Sequence, residues 1–99
     1  MKLLDAIKTV SVDNIELIQD IIDVLNERRD IVEINEPMSD GAYYEKWEEK
    51  LSDLDNIIEE LEDVIKNDDI DQKELSLKRA RCDVIFHQFT YGGLKRLTI

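Results

Sequence analysis

Carboxylates are the most abundant chemically capable groups in this chain. Residues 47–65, WEEKLSDLDNIIEELEDVI, hold eight acids and one lysine. Two carboxylates three residues apart share one side of a helix, where they can hold a divalent cation or act as general acid and base. Glu45 with Glu48, and Glu60 with Asp63, have that spacing. On one straight helix Glu45 and Glu60 stand about 22 Å apart. A magnesium ion with ligands at roughly 2.1 Å cannot join the two pairs. His87 and Cys82 are the only histidine and the only cysteine. Five residues of helix turn them about 140° apart, so they face different ways. No further ligands converge on them for zinc, and no third group orients a thiolate nucleophile. They read as a half-buried polar residue and a core thiol. TYGGLK, residues 90–95, lacks the spacing of a phosphate-binding loop and follows a helix, so Gly92 and Gly93 read as a helix stop.

The same four acids resemble the paired carboxylates of the MazG-type nucleotide pyrophosphohydrolases. In that family a Glu-x-x-Glu pair and a later Glu-x-x-Asp pair, on helices that face each other, hold magnesium for attack on a triphosphate. The resemblance implies a magnesium-dependent hydrolase using Glu45, Glu48, Glu60 and Asp63. The single apolar seam running through both pairs argues the other way. The expectation is therefore no enzyme, no catalytic residue, no metal and no cofactor.

Positioning these side chains falls to helices. Three glycines and one proline leave few breaks in 99 residues, and 42% hydrophobic with 37% charged residues describes a folded chain. One helical domain is expected over 1–99. Leu3, Leu4, Ile7 and Val10 predict a short N-terminal helix over 1–10, which must dock on the rest because ten residues are marginal alone. A helix is expected over 13–34, with Asp13 and Glu16 as a capping box. Its Ile15, Leu17, Ile18, Ile21, Ile22, Val24, Leu25 and Val32 share one half of the wheel. NEPMSDG, residues 35–41, reads as a turn, with Ser39 or Asp40 capping the second long helix.

That second long helix is expected over 42–66. Trp47, Leu51, Leu54, Ile58, Leu61 and Ile65 repeat at 4, 3, 4, 3, 4, a heptad seam that Ile57 and Val64 widen. A stripe that wide serves more than one neighbour. After NDDID, residues 67–71, Asp71 and Glu74 predict a capping box, with Ile70 and Leu75 as its staple, and a third helix over 72–90. Leu75, Cys82, Ile85, Phe86 and Phe89 lie on one side of it, and Leu77, Ala80 and Val84 on the other. Such a helix is central or shared with a second subunit. The tail, 94–99, reads as an extended segment or a last turn. The fold class is all-α: an antiparallel helical hairpin plus a third helix in a small bundle. A homodimer is expected, with Tyr43, Tyr44, Trp47, Phe86 and Phe89 as oligomer contacts, because three such stripes offer more apolar surface than one copy hides.

Net charge is −11. That field repels nucleic acid and anionic membrane and attracts basic surfaces. Residues 1–69 carry 21 acids and 7 bases, and residues 70–99 carry 3 acids and 6 bases. Lys73, Lys78, Arg79, Arg81, Lys95 and Arg96 read as offsetting the acidic helices. Without a signal peptide or a long apolar run, the chain is expected to be soluble and cytoplasmic. Asp13, Glu16, Asp20, Asp23, Glu27 and Asp30 form the outer face of one helix, and Glu48, Glu49, Asp53, Glu59, Glu60 and Asp63 add the flank of the next. Side by side, the two stripes would carry a charge every 2–3 Å or so, within about twofold of duplex DNA. The expected function is a non-enzymatic protein-binding module, an inhibitor or regulator of a basic, nucleic-acid-handling protein. Short, acidic, helical and without a catalytic set, the chain is similar in style to the anti-restriction and anti-CRISPR proteins of phages and mobile elements. The alternative is a structural oligomerisation or scaffolding part whose apolar seams matter and whose acids do not.

Overall fold

A tight turn over residues 11–14 decides where the first long helix begins. Asn14 N–H donates to the Ser11 carbonyl at 3.0 Å. That places Asn14 at the cap, where its side-chain oxygen accepts from Leu17 N–H at 3.2 Å. Asn and Asp cap about equally well. The expected Asp13–Glu16 box is therefore displaced by one residue through the geometry of the turn, and Asp13 N–H bonds Ser11 Oγ instead.

The computed structural model describes residues 1–38, 41–87 and 98. Among them stand α1 (Leu3–Thr9), α2 (Ile15–Ile34), α3 (Ala42–Lys66) and α4 (Ile70–His87). One isolated antiparallel bridge joins Lys2 to Thr98. The fold is an all-helical bundle. No described helix is long and apolar enough to cross a membrane.

The N-cap of α3 is Gly41, at φ +119°, a left-handed conformation that side chains resist. The expected caps Ser39 and Asp40 lie outside the described residues. α4 starts two residues before the expected 72. Asp69 Oδ1 accepts from Asp71 N–H at 3.0 Å, so Asp69 caps in place of the Asp71–Glu74 box. Ile70 is thereby inside the helix and exposed, and no staple forms. Residues 88–90 of the expected third helix, and all of the 94–99 tail but Thr98, lie outside the described residues.

α3 is the central element. It packs on both α2 and α4, while α1 bridges α2 and α4. The breadth of its apolar stripe explains this: the heptad seam alone serves one neighbour, and Ile57 and Val64, both buried, serve a second. The two-sided α4 is not central. It buries Leu77, Ala80 and Val84 and leaves Leu75, Ile85 and Phe86 exposed. Cys82 lies on the exposed side too, which corrects its reading as a core thiol.

Two turns of α1 would not persist in water. They are held because Leu3, Ala6 and Ile7 lose all their exposed surface and Leu4 nearly all. Each large side chain contributes about 1.5–3 kcal/mol by leaving water. The last carbonyls of α1, orphaned by the end of the helix, are met from α4: Arg81 Nε donates to the Ile7 carbonyl at 2.9 Å, and Arg81 Nη2 to that of Val10.

Candidate functional site

Helix α2 turns its acids away from the core. Asp13, Glu16, Asp20, Asp23, Glu27 and Asp30 are all exposed. Asp30 has Arg29 Nη1 at 3.9 Å, a long contact. The stronger partners of that arginine are Glu33 at 2.6 Å and Asp55 of α3 at 2.5 Å, so its charge is spent on the helix–helix seam. Asp23 accepts a neutral hydrogen bond from Gln19 at 3.0 Å. Among the described residues, the other acids of this face meet no cation. The result is an open anionic strip along one helix.

The flank of α3 divides. Glu48, Glu49, Glu59 and Asp63 are exposed, whereas Asp53 and Glu60 are half-buried against α4. Asp53 Oδ2 lies 3.3 Å from His87 Nδ1. Glu60 faces Asp83 within hydrogen-bonding reach, and burial, with that second carboxyl beside it, pushes its pKa up to about 7. Glu60 Oε2 is buried and meets no N–H or O–H donor. Two carboxyls in contact cannot both ionise cheaply, which favours the protonated form of Glu60. Arg79 pulls the Glu60 value back down and Asp63 pushes it up. The expectation that this whole flank stays wet is thus corrected at two positions by the packing of α4. Asp53 and Glu60, seven apart on α3, match His87 and Asp83, four apart on α4, as an antiparallel ladder. That signal was available in the sequence, but only once α3 and α4 were paired.

Glu45, Glu48, Glu60 and Asp63 remain along one unbroken helix and do not face one another as pairs. Among the described residues no three His, Cys, Asp or Glu side chains converge as metal ligands.

The aromatic residues expected at an oligomer contact are spread over the molecule. Trp47 is half-buried, its Nε1 donating to the Val32 carbonyl at 2.6 Å, and its ring lies 5.2 Å from that of Tyr44. Tyr44 in turn donates to Glu36 Oε1 at 3.2 Å. Both tie the N-terminal part of α3 to the end of α2 and the residues that follow it. Tyr43 is exposed beside them, Phe86 is exposed on the outside of α4 and edge-on to His87, and Phe89 lies outside the described residues. Sequence reasoning missed a cavity of about 440 Å³ between the C-terminal part of α2 and the N-terminal part of α3, lined by Arg28, Val32, Tyr43, Lys46, Trp47 and Lys50 among others. No family model, curated protein or solved structure matches the chain.

Proposed function

We propose that the chain is a non-enzymatic binding module that presents the acidic face of α2 to a basic surface of another protein. The nucleic-acid groove of a nuclease or similar enzyme, occluded in the manner of anti-restriction and anti-CRISPR inhibitors, is the partner surface that best fits this charge. One observation carries the reading: the α2 carboxylates are exposed, and nearly all of them lack a cation of their own among the described residues. A fixed row of like charges on a rigid helix raises encounter rates with a basic groove and selects against acidic partners.

The test is a panel of restriction and CRISPR effector nucleases, assayed for DNA cleavage with and without the chain. Inhibition of one of them is expected. Asp20→Lys, Asp23→Lys and Glu27→Lys together should relieve it by at least about tenfold, while circular dichroism stays helical. Inhibition that survives this triple reversal overturns the acidic-face mechanism.

The exposed stripe of α4 favours a second, compatible reading, self-assembly. Leu75, Ile85 and Phe86 lie on one side of that helix, and Phe86 is 77% exposed. We infer that two copies pair through α4 as a homodimer, which leaves the α2 face free in each.

A further inference from the structure

The inward face of the α2–α3 hairpin keeps its register beyond the fully covered core. Trp47 stands one heptad before Leu54 and two before Leu61, and Val32 one heptad after Leu25. The three leucines are wholly buried. The adjoining positions change character. Arg28 is one heptad from Ile21, and Lys50 and Tyr43 are one and two heptads from Ile57. Cations therefore occupy places that isoleucine holds where the face is covered. α4 is described as far as His87, level with Asp53 of α3. Past that level a half-open cavity of about 440 Å³ lies between the two helices.

Every charged lining residue among those described is a base: Arg28, Lys46 and Lys50. In a chain of 24 acids and 13 bases this is a local reversal of sign. Among the described residues neither Arg28 nor Lys46 has a carboxylate partner, and Arg28 Nε is buried without a hydrogen-bond acceptor. The apolar surface continues past the rim, with Ile31 50%, Tyr43 78% and Ile34 82% exposed. It therefore extends along both helices, beyond the cavity that a small molecule would fill.

Charge selects among the occupants. A second copy docked face to face about a twofold axis would set these three bases against one another. Residues 88–97 of the chain itself, QFTYGGLKRL, bring Lys95 and Arg96 and no acid. We propose that the hairpin slot is a docking site for an acidic amphipathic helix of a partner protein. Its apolar side rests on Trp47, Tyr43 and Ile31, and its carboxylates meet Arg28, Lys46 and Lys50. Helix-in-groove recognition uses this combination of an apolar floor and flanking charge, and buried Trp, Tyr and Arg dominate such contacts. The slot is distinct from the α2 acidic face and opposite to it in sign.

The experiment pans phage-displayed random peptides of about 16 residues, some four helical turns, against the immobilised full chain. Enriched peptides are expected to be net acidic, with aromatic or aliphatic residues three and four apart. The best of them, synthesised, is titrated against the chain by the fluorescence of Trp47, the only tryptophan. Lys46→Glu with Lys50→Glu should weaken it by at least about tenfold, with helicity unchanged. Asp20→Lys with Asp23→Lys and Glu27→Lys should leave it bound, which separates this site from the inhibitory face. No enrichment, enrichment of basic peptides alone, or indifference to the lysine reversal overturns the proposal. So does a dimer in light scattering that the lysine reversal dissociates, since the slot would then belong to a second copy.

Discussion

Glu60 is the residue whose surroundings most change its chemistry. Its carboxyl holds a proton up to about pH 7 in the folded chain, against an ordinary value of 4.5. Between those values the unfolded chain binds fewer protons than the folded one, so stability falls as pH rises. The contribution of this group is full below the unfolded value and is lost as pH passes through 7. Glu60→Gln keeps a donor toward Asp83 without a charge to lose. It should raise stability at about pH 8 by roughly 1 kcal/mol and flatten the slope between about pH 5 and pH 8. Urea unfolding of both forms at the two pH values checks this; an unchanged slope would place the pH dependence elsewhere. Arg81 presents the opposite case, a surface-type residue with an interior task. Among the bases it reads from sequence as a counter-charge to the acidic helices. In the fold its guanidinium caps the carbonyls of Ile7 and Val10. Arg81→Met should cost about 1–3 kcal/mol and speed amide exchange in α1 before the other helices. No periodicity marks such a bond, because its partners lie 71 and 74 residues away.

At the scale of elements, the apolar spacing carried most of the information. The long α2 and α3 fall close to the expected 13–34 and 42–66, because a stripe repeated over five or more turns has one sensible period. Helix starts were less legible. Where Asp13 and Asn14 compete, or Asp69 and Asp71, cap chemistry is nearly equal and the path of the preceding turn decides. Gly41 marks the sharpest of these junctions. Nothing lies within 4 Å of a Cβ added there, so its replacement costs backbone strain alone. Gly41→Ala should destabilise by about 1–2 kcal/mol, measured as a lower urea midpoint at unchanged m-value. An unchanged midpoint would show that the backbone at Gly41 relaxes to another conformation at no cost. α1 was legible as a docked helix, but its seat between α2 and α4 was not.

For the whole molecule, charge and apolar surface act against each other. A net charge of −11 opposes the approach of a second copy, while the outer stripe of α4 favours it. Self-association should therefore strengthen with salt, as the Debye length falls from about 10 Å at 0.1 M toward roughly 3 Å at 1 M. Light scattering across that range is expected to show a dimer, and Phe86→Asp with Ile85→Asp to return a monomer with unchanged circular dichroism. A monomer at every salt concentration removes the α4 pairing. The sequence by itself determined that the chain is helical, where the two long helices run and which acids of α2 face water, since each follows from local periodicity and the cost of burying charge. Only the tertiary structure decided that α3 is central, that Asp53 and Glu60 turn from solvent toward His87 and Asp83, and that Arg28, Lys46 and Lys50 gather around Trp47. Those outcomes depend on which helix packs against which face and how far along it reaches. That is a property of pairs of elements far apart in the chain, and the periodicity of one helix does not contain it.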